Sequence, residues 1–473
     1  MMNTLSKTKI VCTIGPACNS PSMIEELIHA GMNVARLNFS HGALSDHEDN
    51  IKNIRLISTQ LKRPVAIIQD LSGPKIRTGT FYKESITVKT NDLFTLTNKV
   101  LEGNERIASV SYPLLPDHVF AGDTILLCDG EIELKVVHKD KTNILCQVIV
   151  GGILSARKGI NIPTRSLPIP SLTEKDKKDL DFGIEHDVDY VALSFVKNVD
   201  DISQLKELIH EKNKDIPVIA KIEKHEALNH LEEIIKTADA IMVARGDLGV
   251  EIPLERIPLV QKKIICIANS HCKPVITATQ MLESMISNYR PTRAEVTDVA
   301  NAIFDGSDAV MLSEETAKGR YPIESVRMLS KIAREVEPGL VRKTDFEAKR
   351  TPGAPVIIPD AISSATCQIA DDLHIKAIIT CTQTGGTARF VSKYRPKQLI
   401  LAVTPSPHTY RRLALVWGVI PILTESMQNT DDMMKKGIEA AKQAGYISEG
   451  ETLAITGGVP VWKPGSTNLL RVY

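Results

Sequence analysis

The chain has 473 residues, 43% hydrophobic and 24% charged, enough for about three domains and for a core that folds without staples. Lys plus Arg equals Asp plus Glu at 57 each, which argues against nucleic acid or an anionic membrane as the main partner, since both demand a basic excess. The first residues lack the apolar stretch of a secretory leader, and no run of about 18 apolar residues is present to cross a bilayer, so a cytoplasmic location is expected.

Short apolar runs rich in β-branched residues recur with helical patterns between them. The first three lie at residues 9–15, 34–40 and 65–71. Well over a hundred residues then separate Leu71 from the next such run, too many for one crossover. That interval reads as β-structure at 85–89, 93–97, 124–127, 132–138 and 143–150, punctuated by Asp129-Gly130 and Gly151-Gly152. A small inserted β-barrel over residues 73–169 is expected, hanging over the mouth of the main domain as a lid. The apolar runs resume at 190–196, 218–223, 240–246, 274–280 and 309–313. Nearly continuous apolar character suits parallel strands covered on both faces, and eight strand–helix units suggest a (β/α)8 barrel spanning 1–72 and 170–345. Lys349-Arg350-Thr351-Pro352-Gly353 reads as a linker to an open, doubly wound α/β domain at 353–473, with strands at 377–381, 399–403, 419–423 and 452–455. The eight cysteines form no Cys-x-x-Cys pair, the pattern of reduced, inert thiols.

Barrel active sites lie at the C-terminal ends of the strands, where the polar residues of this chain collect. Lys221 and Glu223 are two apart and share a face, with Ala220 and Ile222 turned outward. The next strand ends Ala244-Arg245-Gly246-Asp247, and neighbouring strands are roughly 4.8 Å apart, so Glu223 and Asp247 can converge. Two carboxylates without His or Cys favour a hard cation, Mg2+ or Mn2+. Gly246 allows close backbone approach, and the amides that follow suit a carboxylate. Arg36, Asn38 and Ser40 share another inward face; the Arg fork suits phosphate, and the two neutral side chains suit a cation or polar substrate. Asp70, Thr277 with Thr279, and Ser313 close the third, seventh and eighth strands.

With these residues in place, the chain resembles the pyruvate kinases over nearly its whole length. The matching stretches run in order from Thr8-Lys9-Ile10-Val11-Cys12-Thr13-Ile14-Gly15-Pro16 through Arg36-Leu37-Asn38-Phe39-Ser40-His41-Gly42 and Gly73-Pro74-Lys75-Ile76-Arg77. Lys221-Ile222-Glu223, Ala244 to Gly249, Ala278 to Met285, Pro291 to Glu295 and Glu315 to Gly319 follow. The resemblance implies a barrel, a lid and a regulatory C-terminal domain in a homotetramer. It implies phosphoryl transfer from phosphoenolpyruvate to ADP, giving pyruvate and ATP in glycolysis. It puts Lys221 beside the transferring phosphoryl, Arg36 on the phosphate and Glu223 with Asp247 on Mg2+. Thr279 then lies near the carbon protonated afterwards, with Gly246 and Asp247 at the substrate and Ser313 at the catalytic rim. Asn38, His41, Arg77 and the lid residue Lys158 are implied at the nucleotide.

Many relatives hold K+ around the positions of Asn38, Ser40, Asp70 and Leu71 and carry an acidic residue where this chain has Lys75. A lysine brings its own ammonium, so K+ is not expected to be required. Thr382-Gln383-Thr384-Gly385-Gly386-Thr387 follows a strand and opens a helix, which makes an anion site, and Trp462 with Lys463 lies on a second loop able to cover it. The resemblance implies a phosphorylated allosteric effector there, a sugar phosphate or AMP. A barrel aldolase or lyase acting on pyruvate-like enolates would share the metal pair and Arg36 but not the lid or Lys221. A non-catalytic metabolite sensor would keep the fold without needing the intact Lys221, Glu223, Asp247 and Thr279.

Overall fold

The computed structural model describes residues 6–163, 165–340, 355–461, 463 and 465–473. The expected linker at 349–353 and Trp462 lie outside the described residues.

β1 (Lys9–Thr13), β2 (Val34–Asn38) and β3 (Ala66–Asp70) open the chain. The interval that follows holds β4 (Ser85–Val88), β5 (Leu93–Thr97), β6 (Ile107–Ser109), β7 (Thr124–Leu127), β8 (Ile132–Lys139), β9 (Asn143–Val150), β10 (Gly152–Ser155) and β11 (Ile160–Asn161). β12 (Tyr190–Leu193), β13 (Val218–Ile222), β14 (Ala240–Ala244), β15 (Val275–Ala278) and β16 (Ala309–Leu312) then join the first three in a closed parallel barrel ordered β1-β16-β15-β14-β13-β12-β3-β2.

Period-two alternation divides the barrel strands between two cores. Val11, Val34, Ile68, Ile219, Met242, Ile276 and Met311 fill the interior. Ala35, Leu37, Ala220, Ile222 and Val243 face outward against the helices. The helices carry their own start and stop signals. Before the helix Arg293–Asp305, Thr292 Oγ1 accepts from the amide of Glu295 while the Thr292 amide donates to the Glu295 carboxylate. Gly306, at φ +105°, then ends that helix in a conformation L side chains rarely adopt.

The inserted segment forms a six-stranded sheet ordered β11-β7-β8-β9-β5-β6 and a separate two-stranded sheet of β10 and β4. The expected small β-barrel is therefore two sheets, because β4 and β10 pair only with each other. A single core from Phe94, Leu96, Ile125, Leu134 and Val148 nevertheless joins them through Ile86 and Leu154.

β17 (Ala377–Cys381), β18 (Leu399–Thr404), β19 (Val419–Leu423), β20 (Leu453–Gly458) and β21 (Thr467–Val472) make the C-terminal sheet, ordered β19-β18-β17-β20-β21. Its first four strands are parallel, and β21 adds antiparallel at the edge. Separate cores cover its two faces, as expected of a doubly wound sheet. Ala414 and Leu415 from this unit pack with the barrel interior. Lys9 Nζ donates to the carbonyl of Val419 at 2.7 Å and Tyr190 to that of Arg412 at 2.9 Å, so the C-terminal unit docks on the N-terminal ends of the strands, away from the mouth.

Candidate active site

Four elements deliver one compact ion network to the barrel mouth. Asp70, fully buried at the end of β3, accepts from Arg36 Nε at 2.6 Å and lies 3.2 Å from Lys221 Nζ. Lys221 Nζ also reaches Glu223 Oε1 at 2.8 Å and donates to Ser194 Oγ at 2.8 Å. Burial alone would push the Lys221 ammonium down, but Asp70 and Glu223 outweigh it and hold the group above its usual range. Burial likewise works against the Asp70 carboxylate, yet Lys221 and Arg36 keep it below its ordinary value. Arg36 spends Nε on Asp70 and Nη1 on Thr13 Oγ1 at 3.0 Å, which fixes the guanidinium plane with Nη2 uncommitted among the described residues.

Glu223 is buried against its preference for water. Burial raises its carboxyl, the nearby Asp247 charge adds to that, and Lys221 opposes both. Its second oxygen accepts from the Phe195 amide at 2.8 Å. Asp247 sits in the first turn that follows β14, with Lys75 Nζ 3.3 Å away. A buried carboxylate that repels a part-exposed one, with no imidazole or thiol bonded to either among the described residues, is a donor set suited to a hard divalent cation.

On the seventh strand the inward face belongs to Ile276 and Ala278, not to the two threonines. Thr277 turns outward to Ser307, 2.7 Å away, while the strand ends at Ala278 and Thr279 adopts φ +70°. That left-handed step carries Thr279 Oγ1 to within 2.7 Å of the Gly246 amide, which donates to it. Arg245 pins the turn by donating to the Thr279 carbonyl at 2.8 Å while pairing with Asp298 at 2.7 Å. Gly246 and Thr279 are thus brought together, with Asp247 adjacent.

The remaining candidates surround this centre. Asn38 Oδ1 accepts from the Ser40 amide at 3.1 Å, closing the turn after β2. His41 is exposed there; partial burial first, then the charges of Arg77 and Arg36, push its imidazole below the usual value. Arg77 bridges to Gly159 and donates to the Arg157 carbonyl at 3.1 Å, which sets Lys158 beside it at the lid edge. Leu71 is buried, and its carbonyl accepts from Ser194 Oγ at 2.7 Å. Ser313 contributes its backbone, donating from N–H to Glu315 Oε2 at 2.7 Å. Lys75 meets Asp247 and, at 3.5 Å, Asp129 of the lid; its polar contacts among the described residues do not include Asp70, Asn38 or Ser40. Asp247 and Asp129 outweigh burial and hold its ammonium above the usual range.

Sequence reading overlooked Ser194 and Phe195. Ser194 is buried where it touches both Lys221 and the Leu71 carbonyl, and Phe195, at φ +58°, aims its amide at Glu223. Their signal was a polar residue closing β12, which matched the pattern of the other strand ends.

In the C-terminal unit, Thr382, Gln383, Thr384, Gly386 and Thr387 face Lys463 across a cavity of about 480 Å³, counting its mouth. Gly385, at φ +82°, precedes the helix Gly386–Lys393. Thr387 Oγ1 lies 2.7 Å from Thr467 Oγ1 on the facing strand.

A family model for the pyruvate kinase barrel domain matches residues 5–326, and one for the pyruvate kinase alpha/beta domain matches residues 360–473. The chain belongs to the pyruvate kinase family. Pyruvate kinase 2 of Synechocystis sp. is 49% identical over 470 residues, covering 98% of this chain and 79% of that protein. The pyruvate kinase of Thermotoga maritima is 48% identical, with 99% of each chain covered. The crystal structure of a pyruvate kinase from Cryptosporidium parvum superimposes with a TM-score of 0.93 at 39% identity, over 99% of this chain and 96% of that one. The chain is an enzyme of the pyruvate kinase class, a phosphotransferase. All eight of its cysteines are free thiols, and no described helix is long and apolar enough to cross a membrane.

Proposed function

We propose that this enzyme moves the phosphoryl group of phosphoenolpyruvate to ADP at the Arg36–Asp70–Lys221–Glu223 centre, giving pyruvate and ATP as the last step of glycolysis. The observation that carries this reading is the buried Lys221 ammonium, held in place by Asp70, Glu223 and Ser194 beside the uncommitted edge of Arg36. A loose phosphoryl transition state needs positioning and positive charge, not a covalent partner, and this pair supplies both. Arg36 binds the phosphoryl oxygens; Lys221 faces the charge that develops during transfer. Glu223 and Asp247 would hold the divalent cation, which when bound neutralises oxygen charge on the substrate. Gly246 and Thr279 line the substrate end, near the carbon where a proton must arrive. Ser313 shapes the rim through its backbone. Asn38, His41 and Arg77 receive the nucleotide, with Lys158 closing from the lid at 73–169. A coupled assay for ATP formation from phosphoenolpyruvate and ADP tests the reading, and no ATP under Mg2+ saturation would overturn it.

K+ independence belongs to the same proposal. Asp70, the acid of the expected monovalent-cation region, is already neutralised by Lys221 and Arg36, and Lys75 adds an ammonium nearby at Asp247. Replacing K+ by a bulky organic cation should leave the wild-type rate unchanged. In Lys75→Glu, the rate without K+ should fall roughly tenfold or more and recover when K+ is added. A wild-type enzyme that stalls without K+ would sink the idea.

A phosphorylated metabolite is the proposed activator at residues 382–387 with Lys463, and a cytoplasmic homotetramer completes the reading. The supporting geometry is the cavity between those loops and the helix that starts at Gly386. The expected result for Thr384→Ala combined with Thr387→Ala is loss of activation by every sugar phosphate and by AMP. An activation curve identical to wild type would assign the effector elsewhere.

A further inference from the structure

A second group of metal-ligating side chains lies where the edge of the inserted segment meets the barrel. His225 and Glu226 open the short helical turn that follows β13, and Glu251 ends the helix Arg245–Glu251. One ligand atom from each of the three lies within 4.8 Å of the other two. His225 Nδ1 is 3.0 Å from Glu251 Oε2 and 3.2 Å from Glu226 Oε2. The Glu251 side chain is fully buried, and its other oxygen is already taken. Lys224 Nζ is 2.6 Å from that Oε1, and Asn161 Nδ2 donates to it at 3.0 Å. Glu226 is the unsatisfied member. Both of its carboxylate oxygens are buried, and neither accepts a hydrogen bond among the described residues. A ring nitrogen carries at most one proton and bonds one acid with it, so Nδ1–H given to Glu251 leaves Glu226 with charge proximity alone. A desolvated carboxylate without a donor is costly unless a cation completes it.

We propose that His225 Nδ1, Glu226 and Glu251 Oε2 bind a divalent cation of the zinc type, separate from the Glu223–Asp247 pair. Bonds to nitrogen and oxygen in zinc sites are about 2.0–2.2 Å, so neighbouring ligands stand roughly 3.0–3.4 Å apart. The two separations at Nδ1 already have that spacing. The ion takes the position of the ring proton, which leaves to water, and serves both acids at once. An imidazole beside two carboxylates selects zinc over magnesium, unlike the all-oxygen pair at Glu223 and Asp247. Lys224 and Asn161 hold the Glu251 carboxylate from its far oxygen, which fixes its orientation. Asn161, Lys224 and Glu226 also line a cavity of about 540 Å³, counting its mouth, which gives the ion and its water ligands a path in. The position couples two working parts. Asn161 belongs to β11 of the inserted segment, and Asp247 lies on the same short helix that Glu251 ends. An ion on Glu251 ties the edge of that segment to the element presenting Asp247.

The test is zinc binding by the full chain, stripped with a chelator and dialysed against Zn2+ with Mg2+ in large excess to fill the Glu223–Asp247 pair. Elemental analysis should find zinc retained by the wild type. His225→Gln, and independently Glu226→Gln, should each raise the free zinc needed for half-occupancy roughly a hundredfold or more, since loss of a residue that merely orients a ligand already costs about ten- to hundredfold. Hydrogen exchange supplies the second readout. Zinc should slow exchange in wild-type peptides covering 158–163 and 224–230, and both variants should lose that protection. A wild type that retains no zinc would show that the imidazole hydrogen bond alone serves the cluster, and would overturn the proposal. Zinc held equally by both variants, or held without protecting those peptides, would overturn it too, assigning the metal to other groups such as the exposed Cys266.

Discussion

Lys221→Met is expected to lower kcat by roughly 10³–10⁵-fold, the scale of losing the cation that meets charge developing on a transferring phosphoryl. The KM for phosphoenolpyruvate should move far less, because Arg36 remains to bind the ground state. Structure explains why the effect should be catalytic and not a collapse of the fold. Asp70 keeps its Arg36 partner at 2.6 Å, and Glu223 keeps the Phe195 amide at 2.8 Å, so neither acid is left bare. Steady-state kinetics with a parallel melting curve check this. A large KM increase at unchanged kcat would mean that Lys221 only binds substrate.

Glu223→Gln should raise the Mg2+ concentration needed for half-maximal activity by roughly 10²–10³-fold, equivalent to a few kcal/mol of lost metal binding. The amide preserves the shape of the side chain while removing the charge. A pH dependence accompanies it. Burial and Asp247 raise the Glu223 carboxyl above its ordinary value, so it takes up a proton earlier as pH falls. A protonated carboxyl cannot receive a cation, hence apparent Mg2+ affinity in the wild type should decline toward acid, and Glu223→Gln should flatten that part of the profile. Magnesium titrations at several pH values decide it; an unchanged half-saturation in the variant would remove Glu223 from the metal set.

Much of the site was legible because strand parity is a short-range rule. Lys221 and Glu223 inward with Ala220 and Ile222 outward followed from alternation alone, as did Arg36 and Asn38 against Ala35 and Leu37. On β15 the inward parity fell to Ile276 and Ala278, so Thr277 faces out, and Thr279 reaches the site only through the left-handed turn after the strand. Nothing in a Thr-Ala-Thr-Gln run announces positive φ at two non-glycine residues. Ser194 escaped notice for a different reason. Its role rests on meeting Lys221 and the Leu71 carbonyl, residues far away in the chain. Within 73–169 the short strands β6, β10 and β11 were not anticipated, and neither was the edge strand β21.

The opposed carboxylates Glu223 and Asp247, the fork of Arg36 and the ordered motifs of the family were all present in the sequence, because each depends on residue identity and near-neighbour spacing. Lys75 shows where that reach ends. Its identity pointed to a replaced monovalent cation; only the fold revealed that its ammonium rests on Asp247 and Asp129 while Asp70 is served by Lys221 and Arg36. The docking of the C-terminal unit is the same case in stronger form, since Lys9 meets the Val419 carbonyl and Tyr190 the Arg412 carbonyl only once that unit sits beneath the barrel. Charge compensation is a sum over distances in space, and sequence separation carries almost none of that information.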